Sequence, residues 1–336
     1  MDNNSGSKFA EGQTNTTFYK QENPGYFRIT GQDRHDFLQR QTTNDIYLLS
    51  PDRYLVTVLT TPAGRILDVL CVFEGDETFD LLTLPGQGEQ TFNFLSSRIF
   101  FMDKVTLVDA SQEICQIDLL GPGVGEFLQA KGAIQNSQQN ETITIKMAQI
   151  PARVLTQRNA GHHLLIPRET CDQVLHELEN NGAAPLSSES YEIMRIEAGL
   201  PAARHELTED YTPLETGFQW AVSSNKGCYT GQEVIARQIN YNKITRQLVG
   251  LLMSDIPKIG DALYPLEKEQ PVGRITSVAL SPRFGPIALA IVKRPFQEPG
   301  VELVTHYDGH RLTATTTSLP FQWNSSTLPR IAPFAG

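Results

Sequence analysis

The chain has 336 residues and a formal net charge of −10, from 28 basic and 38 acidic residues. That balance argues against a general nucleic-acid binder or an anionic-membrane binder, both of which rely on positive charge. Hydrophobic content of 40% and charged content of 20% describe a globular protein long enough for two or three domains.

The N-terminal stretch is rich in Asn, Ser, Gly and Thr and has no apolar core of the kind that directs secretion. Residues 1–18 are expected to be a disordered tail. No apolar run reaches the length of a membrane span; Pro286 to Val292 reads as a buried strand. The four cysteines, Cys71, Cys115, Cys171 and Cys228, form no C-x-x-C and no Cys/His cluster. This spacing predicts no metal site and suits reduced thiols in a cytoplasmic protein.

Phe27 to Thr30 predicts a strand ending at Gly31, and Asp33 to Gln41 a short helix with Phe37 and Leu38 inward. Thr42 to Asp45 suits a turn. Tyr54 to Thr60 is a β-rich run, followed by a hairpin with arms Arg65 to Phe73 and Thr78 to Leu84. Period-two alternation puts Asp68 on one face with Ile66, Leu70 and Val72, and Leu67, Val69, Cys71 and Phe73 on the other. Both faces are apolar, so Asp68 is expected to be buried. A buried carboxylate needs a partner or a shifted pKa, so Asp68 is a candidate site residue beside a purely structural reading.

Phe92 to Phe101 predicts a helix and Lys104 to Val108 a strand. A strand from Ile114 to Leu120, a helix from Gly125 to Lys131 and a strand from Thr142 to Ile150 follow. Gly121, Gly123 and Gly125 do not make a G-x-G-x-x-G dinucleotide fingerprint. His162 and His163 fall in a strand ending at Ile166 and read as structural. Thr170 and Gln173 form a capping-box pattern, and Ser188 is expected to cap a helix closed by Gly199. Glu197 in that helix's last turn opposes the macrodipole, which marks it as a functional candidate.

Pro201 to Phe218 reads as loop. It leads into Lys226-Gly227-Cys228-Tyr229-Thr230-Gly231-Gln232-Glu233. Thr230 and Glu233 again have capping-box spacing, predicting a helix that starts near Gly231. Cys228 would lie ahead of that helix N-terminus with Lys226 two residues away, conditions that favour a thiolate. Lys226, Arg237, Lys243 and Arg246 make a locally basic segment, suited either to a small anionic ligand or to a solvated face. From Arg246 onward, short β runs with Gly/Pro punctuation predict a small antiparallel barrel or sandwich, and residues 323–336 a tail.

Four segments make the chain resemble the folate-binding family that unites the glycine-cleavage T-protein (aminomethyltransferase) with the YgfZ-type proteins of iron–sulfur cluster biogenesis. They are Gly31 to Asp45, Gly64 to Leu70, Arg195 to Pro201 with Thr212 to Glu215, and Lys226 to Arg237, the last close to the YgfZ branch. The resemblance implies an α+β fold: a three-lobed aminomethyltransferase-like ring with two intertwined α+β lobes over residues 19–245 and a C-terminal antiparallel β-barrel over 246–322. It implies tetrahydrofolate, or a one-carbon derivative, as cofactor. Glu197 would bind the pterin N–H groups, with Asp68, Lys226, Tyr229 and Arg237 as further cofactor-binding residues and Cys228 and Asp68 as catalytic ones.

Two positions depart from the T-protein pattern. Val69 stands where a second aspartate follows the first, and Cys228 where an aspartate is usual. The function implied is a tetrahydrofolate-binding protein that supports iron–sulfur cluster assembly or repair through the Cys228 thiol. Its partners would be folate and iron–sulfur assembly or client proteins, with no nucleic acid and no membrane, and a monomer is expected. The alternatives are an aminomethyltransferase of glycine cleavage, which would make the chain a folate-dependent one-carbon transferase, and a non-catalytic folate-binding module.

Overall fold

A computed structural model of the chain describes residues 16–133, 140–156 and 162–322. The described chain forms two compact units. The first contains residues up to Arg195 and from Leu200 to Gln247, and the second Ile196–Gly199 and the residues from Leu248 onward.

The first unit is built on two sheets. One has five strands in the order Tyr54–Thr60, Ile66–Glu74, Phe79–Leu82, Tyr26–Thr30 and Thr106–Asp109. The other has six, in the order Ala184–Pro185, Thr17–Lys20, Ile114–Leu120, His162–Pro167, Ile150–Thr156 and Thr142–Met147. Thr17–Lys20 pairs with Ile114–Leu120 before the chain enters the other sheet, so the two lobes are intertwined. A bridge between Arg53 and Glu141 links them again. This strand occupies the end of the segment expected as a tail. Tail residues 1–15 and 323–336 lie outside the described residues.

The strand Ile66–Glu74 is buried on both sides, as its two apolar faces require. Leu70 and Val72 join a core with Phe27, Ile29, Phe37 and Leu38, whereas Val69 and Phe73 join one with Tyr26, Tyr54 and Leu165. The second unit is a closed six-stranded barrel. Its interior holds Val249, Leu251, Ile275, Ala288, Ala290, Leu303 and Ala314, small and branched residues that fill a narrow barrel. The fold class read from the sequence, two mixed α/β lobes and an antiparallel barrel, is therefore observed. No helix among the described residues is long and apolar enough to cross a membrane.

Several local expectations change. The helix expected from Phe92 to Phe101 runs Gly88–Ser96 and leaves Phe101 97% exposed in a turn. Thr142 to Ile150 is not one strand: Ala148 and Gln149 take φ of 49° and 67°, and the chain turns into the strand Ile150–Thr156. The short strand Ala262–Pro265 had no clear signal. Neither capping box forms. Thr170 Oγ1 donates to the Pro167 carbonyl, and Gly231, at φ 84°, is the N-cap of the helix Gln232–Asn240. Ser188 opens its helix, but the cap is Ser187, whose Oγ accepts from Ser190 N at 3.1 Å.

The expectation of reduced thiols also changes. Cys115 and Cys171 form a disulfide, with Cα atoms 5.9 Å apart. Register supplies the physical reason: Cys115 pairs with Ile166, and the chain then turns into the helix Cys171–Asn180, so both sulfurs enter one apolar cluster. Cys71 and Cys228 are free.

Gly31 ties the first helix to the sheet edge. At φ 106°, a Cβ there would lie 1.9 Å from the Lys104 carbonyl oxygen. Gly31→Ala is therefore expected to destabilise the protein by roughly 2–4 kcal/mol, read as a lower urea midpoint.

Candidate functional site

Three of the four segments singled out in the sequence lie wholly in the first unit, and the segment from Arg195 to Pro201 is divided, with Ile196–Gly199 in the second. Glu215 is buried and holds two of them together: its carboxylate accepts from Arg65 Nη1 at 3.3 Å and from Arg246 Nε at 2.9 Å. Arg195 donates to the Leu200 carbonyl at 2.6 Å and lies 3.5 Å from Glu206. The Lys226 ammonium donates to the carbonyls of Gln39, Thr42 and Asn44 at 2.6–2.8 Å. Burial pushes this amine down to about 8, and Asp45 opposes the shift. Lys226 thus anchors the loop to the turn after the first helix rather than directing its charge to Cys228.

Tyr229 is buried with Leu214 and Ile235, and burial pushes its phenol up to about 12. Between these two anchors Cys228 is exposed. Beyond it, the Thr60 hydroxyl donates to the Thr230 carbonyl at 2.6 Å, and Gly231 passes so close to Thr61 that a Cβ would meet its carbonyl at 2.6 Å. Gly231 is therefore the glycine that this approach requires. The basic segment disperses: Arg246 serves Glu215, Lys226 serves carbonyls, and Arg237 and Lys243 are exposed on or just beyond the helix. It forms no anion pocket.

Asp68 is fully buried. Oδ1 accepts from Val69 N at 2.8 Å and Leu84 N at 3.2 Å, and Oδ2 from the Thr91 hydroxyl at 2.6 Å. Burial pushes its carboxyl up to about 7, against the lowering effect of those three donors. Glu197 belongs to the second unit. Ser281 donates to its Oε1 at 2.5 Å, and Arg283 Nη1 lies 3.4 Å from Oε2. Burial raises this carboxyl, with Ser281 and Arg283 opposing.

A cavity of about 440 Å³ opens in the first unit. Tyr19, Tyr54, Tyr191, Phe218 and Trp220 contribute aromatic wall, and Tyr19 stacks on Tyr191 with centroids 4.3 Å apart. From the strand Ile66–Glu74 the cavity receives Val69 and Cys71, the face opposite Asp68. Burial pushes the Cys71 thiol up to about 12, so it stays protonated. Asp68 acts behind this wall, fixing the main chain of Leu84, which lines the cavity.

The far wall is polar and was missed in the sequence. Asp118 there accepts from Gln21 Nε2 at 2.6 Å, Gln116 Nε2 at 3.0 Å and the Tyr191 hydroxyl at 2.8 Å, and pairs with His163 Nδ1 at 2.5 Å. Burial raises this carboxyl, but His163 and the two amides override it and hold Asp118 below the usual range. The signal was present in Ile114 to Leu120, where Gln116 and Asp118, two residues apart, put polar groups on one face of an otherwise apolar strand. Among the described residues no group of three or more His, Cys, Asp or Glu could hold a metal ion.

Comparison with known proteins extends these observations. Residues 9–226 match the GCVT N-terminal domain, and residues 246–322 match the glycine cleavage T-protein C-terminal barrel domain. The aminomethyltransferase of Desulforamulus reducens is 30% identical over 310 residues, 88% of this chain and 84% of its own. A putative chloroplastic transferase of Arabidopsis thaliana is 31% identical over 264 residues, 75% of this chain. This chain spans only 59% of that relative's length. The crystal structure of aminomethyltransferase T of the glycine cleavage system from Bartonella henselae superposes with a TM-score of 0.81 at 20% identity, over 94% of this chain and 88% of that one. At that identity the likeness concerns the fold. Together the two matched domains and the full-length relatives show that the chain belongs to the glycine-cleavage T-protein, or aminomethyltransferase-like, family.

Proposed function

We propose that this chain is a YgfZ-type member of the family: a tetrahydrofolate-binding protein that supports iron–sulfur cluster assembly or repair, with Cys228 as its functional thiol. The observation that carries the reading is Val69. It faces the cavity at the position where the T-protein pattern has its second aspartate, while the carboxylate that remains, Asp68, is turned into the core. The site keeps a ligand-sized cavity and lacks a carboxylate at position 69 for transfer chemistry.

Tetrahydrofolate fits the cavity's chemistry. Aromatic walls suit a flat ring, and a few fixed polar groups at one side suit its N–H edge. Bound there, it would supply a one-carbon carrier. Glu197 is proposed as a pterin N–H acceptor from the likeness of its segment alone; it belongs to the second unit and is not among the residues that line this cavity. Residues 19–245 would form the folate-binding region and 246–322 the barrel. Lys226 and Tyr229 act by positioning, since both hold the loop that presents Cys228. Arg237 is proposed as a further cofactor contact from the likeness of its motif, and it is exposed on its helix. A single thiolate cannot hold a cluster, so a partner protein or small thiol would complete the ligand set.

The second reading, aminomethyl transfer in glycine cleavage, is favoured by the aminomethyltransferases that match over 84% of their own length. Turnover with purified lipoyl carrier protein separates the two, and none is expected.

Calorimetry with tetrahydrofolate should give saturable binding. Glu197→Gln should weaken it about tenfold, the cost of one charge-assisted hydrogen bond, and Cys228→Ala should leave it unchanged. In cells lacking the native protein, Cys228→Ala should fail to restore iron–sulfur enzyme activity; full restoration would sink the thiol role. Absence of binding at high micromolar tetrahydrofolate would falsify the ligand.

The positioning role of Asp68 has its own test. Its folded pKa, about 7, lies above the unfolded value, so its protonated form is favoured in the fold. That contribution is complete below the unfolded pKa and is lost as pH rises through about 7. Asp68→Asn should gain on the wild type in unfolding free energy, measured by urea titration, between pH 5 and pH 8, by an amount of order 1–4 kcal/mol. A pH-independent gap between the two proteins would contradict it.

A further inference from the structure

A second cavity, of about 630 Å³, opens in the first unit and shares no lining residue with the first. Its floor is apolar, with Ile114, Leu165 and Ile166 buried. Four charged side chains line it: Arg28, Arg153, Glu113 and Glu169. The two guanidiniums flank one buried carboxylate. Arg28 Nε lies 4.0 Å from Asp80 Oδ1, and Arg153 Nη1 lies 3.6 Å from Asp80 Oδ2. At those distances Asp80 offsets their mutual repulsion without taking their hydrogen bonds. Its oxygens accept instead from the Thr78 hydroxyl at 3.0 Å and the Tyr26 hydroxyl at 2.7 Å.

Each guanidinium also rests on a ring. Arg28 Cζ is 5.7 Å from the Tyr26 centroid, and Arg153 Cζ is 4.9 Å from that of Phe73. Stacking covers a face and leaves the N–H edge available. Both side chains are open to solvent, at 38% and 34%. Few of their donors are in use. Arg28 Nη1 donates to Glu113 Oε2 at 2.6 Å, and Arg153 Nη1 to the Glu74 carbonyl at 3.2 Å. Glu113 is itself 55% exposed, so its pairing holds Arg28 weakly and shows that this edge takes a carboxylate.

Glu169 is exposed and has no hydrogen-bond or ion-pair partner among the described residues. Register sets its distance from the arginines. Arg153 pairs with Leu165, and Glu169 follows Leu165 by two strand residues and two of the turn Arg168–Thr170. Leu165, Ile166, Pro167 and Glu169 all line the cavity, so its wall follows the chain for roughly 10 Å. The lining charges sum to zero but are divided, with free cationic donors toward one end and a free carboxylate at the other. A simple anion meets two glutamates and a simple cation meets two arginines. A zwitterion with well-separated charges satisfies both ends. A free amino acid carries its charges too close together, whereas an extended tripeptide spans about 10 Å.

We infer that this second cavity binds a short zwitterionic peptide, its C-terminal carboxylate at Arg28 and Arg153 and its ammonium at Glu169. The carboxylate takes the unused edges of the two forks, and the apolar floor takes the peptide's side chains. The inference is independent of the folate reading, which concerns the other cavity.

The probe is trialanine, titrated into the full chain by calorimetry, and saturable binding is expected. Amidating its C-terminus or acetylating its N-terminus should each weaken binding about tenfold. Both are read on the wild-type chain and do not depend on a variant's folding. Arg153→Gln should weaken trialanine about tenfold and leave the amidated peptide unchanged, since each alteration removes the same ion pair. Glu169→Gln should stand in the same relation to the acetylated peptide. Absence of saturation, or equal binding of trialanine and its amidated form, would overturn the inference. An Arg153→Gln chain that loses the acid and the amide alike would do the same.

Discussion

The site is organised by a half-buried cation held without a carboxylate contact. The Lys226 ammonium meets three backbone carbonyls, Gln39, Thr42 and Asn44, from the end of the first helix and the turn after it. An ammonium has three N–H donors, and here each has an acceptor. The Gln39 carbonyl is an orphan of the helix end and the other two belong to the turn after it, so one side chain satisfies the end of one segment and fixes the start of another. The neighbouring main chain completes the joint: Ser223 N donates to the Thr43 carbonyl, and the Thr43 hydroxyl donates to the Ala221 carbonyl. An exposed loop 182 residues downstream of Asn44 is thereby fixed on the first lobe. An arginine would bring a planar five-donor fork to a site shaped for a point charge.

That anchoring separates two features the sequence placed side by side. Cys228 and Lys226 are near neighbours in the chain, which suggests a cation activating a thiol. In the fold the cation is turned inward and the thiol outward. The same separation holds along the strand Ile66–Glu74, where Asp68 and Val69 are adjacent but serve opposite faces. In both cases, the charged residue belongs to the framework and its neighbour is what a ligand or partner can meet. Sequence adjacency could not supply that distinction, because it depends on which face each residue occupies.

Much of the architecture was nevertheless readable. Alternation predicted the buried hairpin, the inward Phe37 and Leu38 followed from helical period, and the Gly/Pro-punctuated β runs announced the barrel. The errors have local causes. Thr170 and Thr230 had the spacing of capping boxes, but spacing does not decide whether a hydroxyl will find a better acceptor or whether a left-handed glycine will take the N-cap. The run from Thr142 to Ile150 keeps its alternation past the end of the first arm of a hairpin, and the turn rests on Ala148 and Gln149, residues that rarely announce positive φ. The Cys115–Cys171 pairing depends on strand register, which no spacing rule encodes.

The polar wall shows why candidate sites were harder to read than folds. Asp118, Gln116, Gln21, His163 and Tyr191 come from three strands or their ends and one helix, and none carries a motif. Asp68 and Asp118 are both buried aspartates with several donors, yet burial wins at Asp68 and the neighbours win at Asp118. The difference is His163, the one partner of the two sets able to carry positive charge. A carboxylate kept neutral can be stored in a core at little cost, whereas one kept anionic must be surrounded by oriented donors. That surrounding shell includes the amide of Gln116, whose NH₂ end meets Asp118. The chemistry available to a ligand in this cavity is therefore set by the charge state of a residue in its own wall.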